Sequence, residues 1–141
     1  MWSPEMLVKS IMRCPVTTVG PATSVRAVAA LMKECDIGAI VICESGQVTG
    51  IVTDRDIVTR WFPNVPSDEP IAAVMTRDVI TCRPDQTVRE AAHRMGNLQI
   101  RRLVVVDDTG AVAGMITLGD IANDADEELA GQTLGEVVET R

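Results

Sequence analysis

The sequence predicts an α+β protein built from two copies of one β-α-β-β-α unit, packed together with pseudo-two-fold symmetry. Three observations carry that expectation. Residues 50–57, GIVTDRDI, return as residues 114–121, GMITLGDI, with glycine, threonine, the later aspartate and the last isoleucine in the same places. Pairs such as Met12 with Met75, Pro21 with Pro84, Val25-Arg26 with Val88-Arg89 and Gly50 with Gly114 keep one register, at the spacing of about 60 residues that marks a duplicated unit. In both copies the apolar pattern changes from strand to helix and back in one order.

Taken along the chain, Ser3-Pro4 has the form of an N-cap and first-turn proline, with Met6, Leu7 and Ile11 on one face of a helix ending near Met12. Residues 16–19 are β-branched and stop at the turn signal Gly20-Pro21. From Ser24 the apolar positions Val25, Val28, Ala29, Leu31 and Met32 make a helical stripe that ends around Asp36 to Gly38. Strands over 40–43 and 48–53 flank the polar connection Glu44-Ser45-Gly46-Gln47, and a helix then runs to about Trp61. The same order returns after the linker. Residues 71–75 echo 8–12, residues 79–82 echo 16–19, and Thr87-Val88-Arg89-Glu90 opens a helix whose buried face is Val88, Ala91, Ala92 and Met95. Strands over 103–107 and 112–117 complete the copy. The expected divisions are 1–61 for the first repeat with its N-terminal helix, 62–70 for a linker with three prolines, 71–123 for the second repeat, and 124–141 for an acidic tail. In that tail Leu134, Val137 and Val138 could form a docking helix.

Bulk composition removes several classes of function. With 141 residues and 46% hydrophobic content the chain has enough apolar material for one compact core, while each half alone is too short for a dependable one. Aromatics make up 2%, there is no tyrosine, and the formal charge is -7, so neither stacking platforms nor a cationic surface serve a nucleic-acid polymer. No apolar run reaches the roughly 20 residues of a membrane span, and the N-terminus lacks the apolar centre of a signal peptide. A cytoplasmic protein with reduced thiols is expected. Cys35, Cys43 and Cys82 align with Leu98, Val106 and Val19 and are expected to behave as buried hydrophobes, whereas Cys14 aligns with Arg77 in a loop. His93 is a solvated helix residue, and Trp2 and Trp61 suit packing or dimer contacts.

The duplicated motif admits two readings. Threonine followed three residues later by aspartate is a capping box, in which hydroxyl and carboxylate each accept from a free backbone N–H. The same carboxylate could instead accept hydrogen bonds from a ribose diol, with arginine available for phosphate. No paired acid and base, activated nucleophile or metal-ligand spacing accompanies it, so an enzyme is not expected.

Over residues 8–123 these features resemble a tandem pair of CBS domains, also called a Bateman module. The resemblance rests on the two strand-ending GhhTxxDh motifs, h being apolar, and on the matched order of helix and hairpin. It implies a regulatory, ligand-sensing module that binds AMP, ADP, ATP or S-adenosylmethionine in clefts between the repeats, needs no cofactor, forms homodimers and acts on a separate protein that the sequence does not identify. A ligand-free interaction or dimerisation module of the same fold is the alternative. The resemblance places Thr53 with Asp56, and Thr117 with Asp120, against ribose and nearby phosphate. It places the backbone of Val16, Thr17 and Thr18, or of Val79, Ile80 and Thr81, against adenine. Arg101 and Arg102 are the implied phosphate contacts, with Arg55 a further cation available to phosphate on its chemistry alone; the first repeat has Gly38-Ala39 where the second has the two arginines. The sharpest implied pairing sets Asp56 on the ribose with Arg101 or Arg102 reaching across to phosphate.

Overall fold

A computed structural model describes residues 6–61 and 68–124, of Trp61 the backbone alone. Ser3-Pro4, Trp2, most of the linker and the acidic tail after Asp124 lie outside the described residues. The protein is a mixed α+β structure with two three-stranded sheets, ordered β1-β2-β3 and β4-β5-β6.

The first sheet contains β1 (Thr18–Val19), β2 (Ala39–Glu44) and β3 (Gln47–Thr53). Strands β1 and β2 are parallel and are joined through helix α2 (Val25–Cys35), while β2 and β3 form an antiparallel hairpin. Helix α2 starts where the Ser24 side chain accepts a hydrogen bond from the Ala27 amide, and it ends at Asp36 in a left-handed conformation with φ 53°. Its buried residues are Val25, Val28 and Met32, the inward positions of the predicted stripe. After Thr53 the chain turns into α3 (Asp54–Asp56), which widens to a π-helical turn over Ile57–Trp61.

The second sheet repeats this plan with β4 (Thr81–Cys82), α4 (Val88–Leu98), β5 (Arg102–Val106), β6 (Val112–Thr117) and α5 (Leu118–Asp124). The predicted capping box is present: the Glu90 amide donates to Thr87 Oγ1 (3.1 Å) and the Thr87 amide donates to Glu90 Oε1 (3.1 Å). Val88, Ala91, Ala92 and Met95 are all buried beneath it. Each hairpin carries one register shift, at Ile42/Cys43 and at Val105/Val106.

The compact units cross the linear repeats. One unit is Val16–Val79; the other joins Met1–Pro15 to Ile80–Arg141. In the latter, α1 (Val8–Ile11) serves the second-repeat sheet: the Val8 amide donates to the Gln86 carbonyl (2.8 Å), and Arg13 and Met115 exchange two backbone hydrogen bonds (2.8 and 3.0 Å). Val8 is fully buried among Val88, Leu103, Val105, Ile116 and Ile121. In the Val16–Val79 unit the 3-10 turn Ile71–Ala73 plays the same part, with Ile71, Val74 and Met75 buried against Val25, Val28 and Val52, and Thr76 exchanging two bonds with Ile51 (2.8 and 3.0 Å). The segment that leads into each repeat thus belongs to the body of the other.

Three local expectations change. Met6 and Leu7 are not helical: Leu7 is extended and bridges to Thr87, so α1 begins at Val8. The first strand of each repeat has two residues rather than four, because its parallel partner offers two register positions, Thr18 and Val19 against Val41 and Ile42, and Thr81 and Cys82 against Val104 and Val105. Cys35 is exposed, not buried. It ends α2 as Leu98 ends α4, and Leu98 itself is 45% exposed, so both copies turn that position outward.

Candidate functional site

Both copies of the motif stand at a strand-to-helix junction and close the same reciprocal pair. At the second copy the Thr117 amide donates to Asp120 Oδ2 (2.9 Å) and the Asp120 amide donates to Thr117 Oγ1 (3.1 Å). At the first, the Thr53 amide donates to Asp56 Oδ2 (3.0 Å) and the Asp56 amide donates to Thr53 Oγ1 (3.1 Å). Capping therefore uses one carboxylate oxygen at each site. The other, Oδ1, points away from the cap, and its surroundings differ between the copies.

Around Asp120, Oδ1 accepts a hydrogen bond from Arg13 Nε at 2.7 Å. The Asp120 side chain is 5% exposed and that of Arg13 72%, so a surface guanidinium covers a buried carboxylate. The bond and the charge of Asp120 push the Arg13 pKa up, and Asp124 one turn along α5 adds to it. Arg102 pairs with Thr117 across the β5–β6 ladder, and the Leu118 amide donates to the Arg101 carbonyl (2.9 Å). Arg101 is exposed and Arg102 half-buried. Thr81 opens the parallel pairing with Val104, and the Val104 amide donates to the Ile80 carbonyl (3.2 Å). This unit thus gathers Ile80, Thr81, Arg101, Arg102, Thr117 and Asp120.

Around Asp56 the cation comes from the helix. Arg60 Nε is 3.8 Å from Asp56 Oδ1, an ion pair too long for a hydrogen bond, and Arg60 reaches Thr76 Oγ1 at 3.4 Å. The Asp56 side chain is 18% exposed. Ala39 pairs with Thr53, and the Asp54 amide donates to the Gly38 carbonyl (3.0 Å), so Gly38-Ala39 does occupy the place held by Arg101-Arg102 in the other copy. The Thr17 carbonyl accepts from the Val41 amide (3.3 Å) and Thr18 faces Val41 in the ladder. Arg55 is exposed; its carbonyl accepts from Thr59. Val16, Thr17, Thr18, Thr53, Arg55, Asp56 and Val79 all belong to the Val16–Val79 unit, whereas Arg101 and Arg102 belong to the other.

Sequence reasoning missed Arg13, Arg60 and Thr76. Arg13 and Thr76 occupy one register position, next to Met12 and Met75, and each is pinned by two backbone bonds to the strand that ends in the motif. The signal was the register itself, but its use needed the exchange of leading segments, which places Arg13 on the second motif rather than the first. Elsewhere, burial pushes the Cys82 thiol up to about 11 and raises that of Cys43, while Cys14 is exposed. Among the described residues, no group of His, Cys, Asp or Glu is placed to hold a metal ion, and no helix is long and apolar enough to cross a membrane.

The CBS domain family model matches residues 8–61 and 71–126, both copies of the unit. The chain belongs to the CBS domain family. Among its relatives, the CBS domain-containing protein YhcV of Bacillus subtilis is 36% identical over 129 residues, which span 90% of this chain and 91% of that protein. Among solved structures, the CBS domain protein TA0289 of Thermoplasma acidophilum is 28% identical, with a TM-score of 0.79 over 93% of this chain and 75% of that one. The CBS domain pair of protein MJ0100, solved in complex with 5'-methylthioadenosine and S-adenosyl-L-methionine, is 32% identical, with a TM-score of 0.76 over 85% of this chain and 95% of that one. In this CBS pair the glycine that opens each motif lies beneath the exchanged segment. A Cβ on Gly114 would sit 2.8 Å from the Arg13 carbonyl oxygen, and one on Gly50 3.1 Å from that of Thr76.

Proposed function

We propose that this CBS pair is a regulatory module that senses an adenosine-type ligand, AMP, ADP, ATP or S-adenosylmethionine, rather than a catalyst. The observation that carries the reading is the division of labour at Asp56 and Asp120. Each uses Oδ2 to start its helix and turns Oδ1 toward a solvent-exposed cation, Arg60 or Arg13. A ribose diol can take that oxygen without undoing the cap. The adenosine ligands of the MJ0100 pair, which shares 32% identity with this chain, support the same ligand class. Thr53 and Thr117 hold the carboxylates in place. Val16, Thr17 and Thr18, or Val79, Ile80 and Thr81, offer backbone groups to the base, and Arg55, Arg101 and Arg102 are the cations for phosphate. The module works as a cytoplasmic homodimer and passes ligand occupancy to a separate protein.

Thermal melts with AMP, ADP, ATP and S-adenosylmethionine test this. A ligand at 100 times its dissociation constant stabilises the fold by about 2.7 kcal/mol, a readily measured shift. Asp56→Ala and Asp120→Ala each weaken one site by about 1.5–3 kcal/mol through loss of a charged hydrogen bond. No shift with any of the four ligands refutes the proposal.

A further inference from the structure

The two motif sites differ at one register position, and the difference has a chemical consequence. Arg13 and Thr76 are equivalent, each tied by two backbone hydrogen bonds to the strand beside its motif. Their side chains differ in kind. Arg13 lays its Nε on Asp120 Oδ1 at 2.7 Å, whereas among the described residues the cation paired with Asp56 is Arg60 at 3.8 Å, too far for a hydrogen bond to that oxygen. Asp120 is correspondingly more covered than Asp56, 5% against 18%. The charge one turn beyond each motif is also reversed, Asp124 in α5 standing where Arg60 stands in the first copy.

We infer that Arg13 makes the Thr117–Asp120 site selective for phosphorylated over unphosphorylated adenosine ligands, a selectivity that the Thr53–Asp56 site lacks. This rests on reading the motif aspartates as ribose acceptors. Because the Asp120 side chain is only 5% exposed beside Arg13, a neutral nucleoside reaches Oδ1 by displacing the guanidinium, and the ion pair is lost with no anion to replace it. A ligand with a phosphate supplies the replacement, because the freed guanidinium can bind phosphate oxygens through two parallel N–H bonds. Arg13 can make that exchange by moving its side chain alone: its backbone is held by Met115 and its side chain is 72% exposed. Arg102, beside Thr117 in the ladder, and Arg101 lie in the same unit to share the anion. At the first copy, among the described residues, no charged hydrogen bond to Asp56 Oδ1 has to be broken, and Gly38-Ala39 replaces the arginine pair.

The test is calorimetric titration of the full chain with AMP and with adenosine. Asp56→Asn, whose amide oxygen can still accept from the Thr53 N–H, leaves the Asp120 site to be read; Asp120→Asn leaves the other. The Asp56→Asn protein is expected to bind AMP at least about tenfold more tightly than adenosine, the worth of one charged hydrogen bond. Adding Arg13→Thr, the residue of the other copy, should bring the two affinities within about threefold, by weakening AMP and strengthening adenosine, while Arg13→Lys, which keeps the charge but not the two parallel N–H bonds, should fall between the two. The Asp120→Asn protein should bind both ligands within about threefold. An AMP preference unchanged by Arg13→Thr, or equally large in Asp120→Asn, overturns the role of Arg13 and leaves the ribose sites standing. Failure of the wild-type chain to bind either ligand overturns the ribose reading and the selectivity together.

Discussion

Gly114→Ala tests whether the exchanged N-terminal segment is what the second motif is built on. Gly114 pairs with Val105 inside the second hairpin, one residue before Met115, which holds Arg13 by two backbone bonds. An added Cβ would lie 2.7 Å from Met12 Sδ and 2.8 Å from the Arg13 carbonyl oxygen. The methionine can swing away. The carbonyl cannot, because it accepts from the Met115 amide at 3.0 Å. Relief therefore requires residues 12–13 to lift from β6. Overpacking of this kind costs about 1–3 kcal/mol, and weakening two backbone hydrogen bonds costs about 0.5–1.5 kcal/mol each. The lower chain entropy of unfolded alanine returns about 0.4–1 kcal/mol. A net loss of about 1–6 kcal/mol is expected, measured by urea unfolding of the wild-type and variant chains. The Gly114→Ala protein should also show a reduced preference for AMP over adenosine, since Arg13 loses its anchor. Met12→Ala should restore little, as it leaves the carbonyl in place. A variant as stable as wild type, or stabilised as an ordinary strand Gly→Ala would be, refutes the close approach and the docking of residues 12–13 on β6.

Three further outcomes follow from burial and capping. Cys82, 3% exposed, has its thiol pushed by burial from 9.0 up to about 11, so between those values the unfolded chain loses a proton that the folded chain keeps, and stability falls as pH rises. That fall is about 2–3 kcal/mol; Cys82→Val should flatten it in urea melts taken from pH 8 to 11, and an unchanged slope refutes the assignment. Thr87→Ala removes the α4 cap and should cost about 1 kcal/mol at neutral pH. The Glu90 carboxyl is held below its ordinary value of 4.5 by hydrogen bonds from Thr87, the backbone one foremost, so its contribution is present above that value and lost as pH falls through the lowered one. Glu90→Gln should therefore match wild type more closely in acid than at pH 7.

The elements were legible because each left a local mark. Thr87 to Glu90 spells a capping box, and the Val88, Ala91, Ala92, Met95 stripe buries as its spacing requires. Ends were less legible where pairing rather than propensity sets them. Residues 16–19 and 79–81 are β-branched throughout, yet a parallel partner of two positions leaves only Thr18–Val19 and Thr81–Cys82 as strand. Leu7 reads as a helix-face residue, but a backbone bridge to Thr87 draws it out straight. Alignment of Cys35 with Leu98 suggested burial and failed because the final position of each of these helices faces solvent, one turn-step away from the buried Met32 and Met95.

The site was half legible for a related reason. Thr53, Asp56, Thr117 and Asp120 announce themselves because their pairing is local, closed over three residues in each copy. Arg13 lies 107 residues from Asp120, and no periodicity links them. What links them is the crossing of the leading segments, which sets Met12 over Gly114 and Met75 over Gly50. Once that crossing is known, the register already visible between Met12 and Met75 assigns the next residue of each copy to the opposite motif. Arg13 then falls on Asp120, and Thr76 on the first motif where Arg60 meets it. A duplicated chain with the same cap twice thereby acquires two chemically unequal carboxylates. The inequality depends on an arginine in the leading segment of one copy and a threonine in that of the other, so exchanging those two side chains should exchange which carboxylate is covered.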